Sequence, residues 1–236
     1  MLKQRLPKKI SRWHLIFVLL CLVVFGHQNT EAQSSQPVEI PTSPVDLEKL
    51  PPALVELNEL MASSASFKAR FIRSVYVKGS KTPVSTQGRL VFDTELGLLW
   101  QVLDPYKEAL WLSRDGVFYL SSNGKEKIFE DPGVFGKVQE FVEGRYKDLA
   151  ANGELSFGDL KGRWEMRMDP QSGTLAGRVV EIRLRGFRGL LSWVRIQEKD
   201  ETVTSIRVYD LQRYEHSLGE PQFFYLEPRE DFLPLQ

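Results

Sequence analysis

The sequence has few of the residues that carry nucleophilic or metal chemistry. Its single cysteine, Cys21, lies near the N-terminus, and only one of its three histidines, His216, lies beyond residue 32. Disulfides, cysteine catalysis and sites built from several thiolates or histidines are therefore excluded from residues 33–236. No Gly-x-Ser-x-Gly, Walker or dinucleotide-binding glycine pattern is present. We therefore expect no enzyme, no cofactor and no metal site; a hydrolase would require His216 to lie beside a serine and an acid.

Long hydrophobic runs are also missing. The apolar run at residues 15–25 has eleven residues, whereas a membrane-spanning helix needs about 20. Five basic residues precede this run. Thr30-Glu31-Ala32 follows it and places small residues, Thr30 and Ala32, at positions −3 and −1 of a cleavage site. This order is typical of a secretory signal. We therefore expect residues 1–32 to be a signal peptide cleaved after Ala32, with an uncleaved anchor as the alternative.

Neither sign of charge is in large excess. The whole chain has 31 basic and 31 acidic residues, and residues 33–236 keep 26 and 30 of them, a net charge of −4. A mildly acidic chain is not typical of proteins that bind nucleic acids or anionic membranes.

Hydrophobic periodicity predicts one mainly β domain at residues 51–236, after a proline-containing, disordered tether at 33–50. A helical stripe begins at Leu54, and from Phe67 the period is two through ten or eleven strands, the last being QFFYLEP at 222–228. A second helical stripe interrupts the strands at 131–152. A sheet this long curls or closes. We therefore expect an α+β fold, mainly β, in which one curved antiparallel sheet forms a half-open barrel with a helical lid.

Residues 97–120 are apolar on both faces of their predicted strands, whereas an antiparallel sheet with one solvated face alternates apolar and polar residues. Something must therefore cover both faces. Most of these side chains would pack as core, but an incompletely filled interior would be a small-molecule or lipid site. The set that recurs at period two, predicted to line the concave face, is Leu90, Phe92, Leu98, Trp100, Val102, Leu110, Leu112, Phe118 and Leu120.

One basic group deserves a separate hypothesis. In VVEIRLRG (179–186), Arg183 and Arg185 share a face with Glu181, opposite Ile182 and Leu184. Together with Arg188, this face is either an ordinary solvated convex surface or a docking patch for an acidic partner or a lipid phosphate.

Four segments resemble the outer-membrane lipoprotein carrier family, the LolA-like periplasmic proteins: LMASSASFKARF (60–71), GRLVF (88–92), LLWQVLDPYKEALWLSRDGVFYL (98–120) and FFYLEPREDF (223–232). The resemblance covers roughly residues 50–232. It implies an eleven-stranded half-open barrel with acyl chains held between barrel and lid. The residues that it assigns to this site include Leu90, Phe92 and Trp100 on the strands, Leu57, Leu60 and Met61 on the first lid helix, and Phe141 on the inserted one.

The resemblance also implies a function. A monomeric periplasmic carrier of this family takes an acylated lipoprotein from an inner-membrane transporter and passes it to an outer-membrane receptor. Family members often have an Arg-Pro pair that helps to close the lid, whereas this chain has Thr94-Glu95 after Asp93. The latch is therefore absent or made differently, and a carrier of another exported lipid fits equally well. The alternative is a ligand-free periplasmic interaction module with a fully packed interior.

Overall fold

The protein folds around one twelve-stranded antiparallel sheet. The computed structural model describes residues 39–121, 124–129, 146, 150–172, 176–188 and 190–225, without the side chains of residues 57, 60–62 and 129. The strands are β1 (Ser43–Pro44), β2 (Ser66–Tyr76), β3 (Val84–Asp93), β4 (Gly97–Asp104), β5 (Glu108–Ser113), β6 (Gly116–Ser121), β7 (Gly124–Phe129), β8 (Gly153–Leu160), β9 (Arg163–Pro170), β10 (Val179–Phe187), β11 (Leu190–Glu198) and β12 (Val203–Tyr214). Two helices are described: α1 (Pro52–Ala62), which precedes β2 in the chain, and α2 (Glu220–Phe223), which follows β12.

The order of the strands makes the sheet a half-open barrel. It runs β1-β8-β9-β10-β11-β12-β2-β3-β4-β5-β6-β7, so the chain forms two meanders that join where β12 pairs with β2. This junction is long, from Val203 opposite Tyr76 to Tyr214 opposite Ser66. The two ends of the sheet are β7 and β1, and the chain after Phe129 leads from β7 to β8, the neighbour of β1. The predicted fold class, a curved antiparallel sheet with few helices, is confirmed.

The segment before α1 differs from the predicted tether. From residue 39 onward it lies against the sheet: Ser43 and Pro44 pair with Phe157 and Ser156, and the amide of Val45 donates to the carbonyl of Leu155 at 2.9 Å. Ile40 is buried. Prolines remove ladder donors but tolerate a sheet edge, which is the position that this proline-containing segment occupies. The prediction of disorder is therefore wrong for the paired residues, because a proline-containing composition is compatible with an edge strand as well as with a disordered tether.

Both faces of the sheet carry apolar clusters, as residues 97–120 require. The larger cluster fills the concave face and includes Trp100. The smaller lies on the convex face and contains Val91 and Leu99 of the sheet together with Leu218 and Phe223 of the C-terminal segment. The C-terminal segment therefore covers the convex face that would otherwise be exposed.

The predicted last strand is wrong in its described part. Residues 220–223 form the short helix α2, with a proline in its first turn, a position that proline favours because its missing N–H is not needed there. The helix presents Phe223 and Phe224 to the convex cluster, where Phe224 meets Trp111 edge to face, with ring centroids 4.9 Å apart. A β-like run of aromatic residues was mistaken for a strand. Residues 226–228 lie outside the described part of the chain.

Asp93 fastens the C-terminal segment to the sheet. Its carboxylate is fully buried. Oδ1 accepts hydrogen bonds from the amides of Glu95 and Leu96 at 2.9 and 3.2 Å. Oδ2 accepts hydrogen bonds from the Ser217 hydroxyl at 2.9 Å and the Leu218 amide at 2.8 Å. At the place where the resembled family has its Arg-Pro pair, this chain therefore ties the β3–β4 turn to the cover of the convex face.

We expect Asp93→Asn to lower the free energy of unfolding by about 2 kcal/mol, because an NH2 group replaces one acceptor oxygen and leaves buried donors unsatisfied. Urea denaturation measures the change. Glu95→Ala, an exposed side chain in the same turn, is the control and should change stability by less than about 0.5 kcal/mol. Equal effects of the two substitutions would show that Asp93 is not the anchor.

Candidate functional site

The candidate site is the apolar concave face of the sheet. Leu90 of β3 lies opposite Trp100 of β4, which lies opposite Leu110 of β5. Directly opposed residues of an antiparallel pair point to the same face, so these rows place the predicted set side by side. Of the nine strand residues predicted to line the concave face, the structure places seven in this cluster, each no more than 8% exposed: Leu90, Phe92, Leu98, Trp100, Val102, Leu110 and Leu112.

Phe118 and Leu120 are corrections, because they lie on the convex face. The turn between β5 and β6 pairs Leu112 with Val117 and Trp111 with Phe118. Even-numbered residues of β5 therefore oppose odd-numbered residues of β6, and the parity changes at this hairpin. Phe118 stacks on Trp111 with ring centroids 4.9 Å apart, and Leu120 packs on the convex cluster. Val117 joins the concave cluster instead.

The second half of the chain supplies the other wall of the concave cluster. Strands β8 to β12 contribute side chains that the sequence prediction did not include. Their alternation was visible, but only the pairing of β12 with β2 shows that they face the first half. The buried members are Leu155, Phe157, Trp164, Met166, Met168, Val179, Ile182, Leu184, Leu191, Val194, Ile196, Ile206, Val208 and Leu211.

Two groups outside the strands cover this face. Leu54 of α1 is fully buried in the concave cluster, whereas its neighbour Val55 is 40% exposed. Tyr146, which is helical and belongs to the connection between β7 and β8, is also buried in the cluster; burial raises the pKa of its phenol. The lid residues Leu57, Leu60 and Met61 are outside the described side chains, and Phe141 is outside the described residues; their assignment stays a prediction.

Glycine allows two aromatic side chains to lie flat on the concave face. A Cβ at Gly88 would lie 1.9 Å from the carbonyl oxygen of Gln101 and 2.9 Å from the ring of Phe71. Because Gly88 has no Cβ, the ring of Phe71 can lie beside it, where it packs against the ring of Trp100 with centroids 3.9 Å apart. Gly186 serves Trp164 in the same way, since a Cβ there would lie 2.3 Å from the indole. Such cross-strand pairs replace the packing that a glycine lacks.

Buried polar atoms without a hydrogen-bond partner among the described residues include the indole N–H of Trp164, the hydroxyl of Thr86 and the side-chain oxygen of Asn58 on α1. Of these three residues, Trp164 belongs to the concave cluster. Trp164 is 1% exposed and Thr86 5% exposed. Leaving such groups unsatisfied costs stability, so their presence is a departure from plain core packing. Nothing in the alternating sequence pattern marks them.

Two residues of opposite charge, Arg73 and Glu108, lie where the concave face approaches the β2–β3 hairpin. Arg73 of β2 is opposite Thr86 and Ile206, and Glu108 of β5 is opposite Val102. Burial raises the pKa of Glu108, and the attraction of Arg73 offsets this only in part. Burial also raises the pKa of the Tyr106 phenol, and the negative charge of Glu108 raises it further. The charges of this end are therefore incompletely compensated.

The arginine face is an ion-pair network rather than a free basic patch. Arg183 pairs with Glu181, and Arg185 pairs with Glu165; the two glutamate side chains are only 7% and 5% exposed. The hydrogen bond to Glu181 raises the pKa of Arg183. Arg188 lies in the β10–β11 turn with its guanidinium over the ring of Phe187, 5.2 Å from the centroid. The docking hypothesis is therefore weakened at Arg183 and Arg185, whose charges are already neutralised.

Among the described residues, no serine or acid hydrogen-bonds to the imidazole of His216. The imidazole is exposed and lies edge-on to Tyr214. The Ser66 hydroxyl donates to the main-chain oxygen of His216 at 2.7 Å, and the Ser217 hydroxyl donates to Asp93. Within the described ranges, no three His, Cys, Asp or Glu side chains cluster as a metal site would require. None of the helices described is long and apolar enough to cross a membrane.

Comparisons with known proteins find similar structures but no similar sequences. No family model matches the chain, and no curated protein matches it. A LolA superfamily protein from Nitrosomonas europaea is 6% identical, with 73% of this chain and 96% of that one covered and a TM-score of 0.40. A DUF1329 family protein from Desulfovibrio piger is 10% identical (68% and 90% covered, TM-score 0.39), and LprF from Mycobacterium bovis is 10% identical (72% and 95% covered, TM-score 0.35).

We expect Glu108→Gln to change the free energy of unfolding more favourably at pH 7 than at pH 4. The pKa of Glu108 is raised on folding, so the folded state favours the neutral form, and stability is lost as the pH rises and the carboxyl ionises. The glutamine variant does not ionise and keeps that stability. Urea denaturation at both pH values measures the difference, with the exposed Glu126→Gln on β7 as control. A gain that is the same at both pH values would contradict the assignment.

Proposed function

We propose that the protein is a periplasmic carrier that binds an acyl chain between the concave face of its sheet and the segments that cover it. The observation that carries the proposal is the single buried apolar cluster that runs across both halves of the sheet and ends at Leu54 of α1 and at Tyr146. An acyl chain needs a continuous apolar surface with a removable cover. The buried indole N–H of Trp164, which belongs to this cluster and has no hydrogen-bond partner among the described residues, supports the same proposal, because a fully optimised core would satisfy it.

The energetics of this surface suit a carrier. Each buried CH2 contributes about 0.8 kcal/mol, so a twelve-carbon chain gains on the order of 9–10 kcal/mol before the costs of association. That affinity holds a lipid in water but leaves it exchangeable with a competing apolar surface. A carrier therefore needs a partner that competes for the same chain when it delivers its cargo.

Helix α1 is suited to act as a movable cover. It has eleven residues, with no acidic residue in its first turn and no basic residue in its last. A helix of this length is marginal by itself, and its end charges do not stabilise it through the helix dipole. Its position therefore depends on side-chain contacts such as that of Leu54. An acyl chain that replaces those contacts displaces the helix without breaking the sheet.

The cellular context of the proposal rests on the sequence. The signal-like residues 1–32 and the LolA-like resemblance support a periplasmic location, an inner-membrane transporter as donor and an outer-membrane receptor as acceptor. The cargo is an acylated lipoprotein or another exported lipid. In this proposal the protein performs no chemical reaction, and the exposed position of His216 agrees with that role.

We expect Trp100→Ala to weaken binding of a fluorescent fatty-acid probe by at least tenfold, whereas Trp111→Ala leaves binding unchanged. The two tryptophans lie on neighbouring strands, β4 and β5, but on opposite faces of the sheet. Each substitution removes an indole; the loss of stability is about 3–5 kcal/mol at Trp100, which is 2% exposed, and smaller at the partly buried Trp111. The pair compares the loss of an indole from the concave face with the loss of one from the convex face. Probe fluorescence is measured at a temperature at which circular dichroism shows both variants folded.

Two results would overturn the proposal. Failure of the wild-type protein to bind any acyl probe would favour a ligand-free interaction module with a filled interior. Equal weakening by the two substitutions would show that binding follows stability or occurs on the convex face.

A further inference from the structure

The concave face changes character along strands β2 and β3. From the α1 end, its paired rows are Phe67 with Phe92, then Ala69 with Leu90, all no more than 3% exposed. The next row is Phe71 with Gly88, across which the ring of Trp100 lies. The row after that is not apolar, because it pairs Arg73 with Thr86.

This polar row lies one step inside the rim of the sheet. The following row pairs Val75 with Val84, and Val84 is 63% exposed. Arg73 is itself partly buried and lies between the buried Ile206 of β12 and Thr86 of β3. A guanidinium therefore stands at the boundary between the apolar interior and the exposed hairpin. Charged side chains are seldom placed on a buried face unless they are paired.

Neither member of the row is paired within the described part of the chain. The Thr86 hydroxyl is buried and has no hydrogen-bond partner there. Arg73 forms no ion pair within 4.0 Å there either; Glu108 and Tyr106 of the β4–β5 region feel its charge only at longer range. A guanidinium fork and a hydroxyl side by side present several donors that suit a carboxylate or phosphate oxygen.

We propose that Arg73 and Thr86 bind the anionic head group of an acyl-chain ligand whose tail lies along Phe71 and Trp100. The proposal rests on the acyl-carrier function and specifies its ligand class, an amphiphile that ends in a carboxylate or phosphate. The apolar rows beyond Arg73 take the tail, and the exposed hairpin end leaves the remainder of a larger head group in water. The polar row thereby sets the direction in which a chain enters.

The test compares three ligands with the same twelve-carbon chain at pH 8: laurate, dodecyl phosphate and dodecanol. We expect Arg73→Gln to weaken binding of laurate and dodecyl phosphate about tenfold, the usual scale for a charge-assisted hydrogen bond, and to leave dodecanol unchanged. Arg73→Lys should retain part of the preference, because it keeps the charge but not the fork. Isothermal titration calorimetry of the folded full-length variants gives the dissociation constants.

The control is Arg70→Gln. Arg70 precedes Arg73 by three residues on the same strand, so its side chain lies on the opposite face. Its Nε is 4.0 Å from Oδ2 of Asp210. It should not alter binding of any of the three ligands. Tighter binding of dodecyl phosphate than of laurate by the wild type, lost in Arg73→Gln, would support a phospholipid source; the reverse order, lost in the same way, would support a fatty acid.

Several results would overturn the inference. If Arg73→Gln weakens dodecanol as much as laurate, or if Arg70→Gln has the same effect as Arg73→Gln, the head-group site is wrong while the carrier function stands. If the wild type binds dodecanol and laurate with equal affinity and Arg73→Gln changes neither affinity, the head-group site is again wrong while the carrier function stands. If the wild type binds none of the three ligands, the carrier function fails together with the head-group site.

Discussion

The structure depends on one constraint: a sheet that is apolar on both faces must be covered on both. Strands β3 to β5 place Trp100 on one face and Leu99 on the other, each no more than 2% exposed. The C-terminal segment meets this requirement on the convex face, where two hydrogen bonds, from the Ser217 hydroxyl and the Leu218 amide, tie it to Asp93. On the concave face the described covering residues are Leu54 of α1 and Tyr146. One cover is fastened by a buried carboxylate, and the other depends on apolar contacts that a ligand can replace.

This difference between the two covers connects the fold with the proposed function. Hydrogen bonds to a buried charge are costly to break, so the convex cover stays in place when the concave cover moves. Apolar contacts, by contrast, are exchangeable for an acyl chain of similar surface. In the convex ion-pair network, the pairs of Arg167 with Glu181 and of Glu165 with Arg183 and Arg185 add cross-strand links between β9 and β10. In the proposed function, the sheet therefore stays rigid while the eleven-residue helix α1 moves against it.

Much of this architecture was predictable from local sequence, and the misses have physical causes. Period-two alternation located the strands and was right for seven of the nine strand residues that it assigned to the concave face. It failed at Phe118 and Leu120 because hairpin register, set by the length of the turn, changes which parity faces inward. It failed at residues 220–223 because an aromatic run packs equally well as a strand or as a short helix against a flat apolar surface. The polar row of Arg73 and Thr86 could not be found from one strand, since alternation within β2 does not show which residue of β3 lies opposite.

The account stands or falls on whether an acyl chain occupies the concave face, and native mass spectrometry of the protein purified from the periplasm tests this most directly. The account predicts a bound species whose mass, after lipid extraction, corresponds to an acylated molecule with an anionic head group, and its loss in Trp100→Ala but not in Trp111→Ala. A protein that is free of ligand in this measurement and does not bind added fatty acid would contradict the account and identify the concave cluster as an ordinary core.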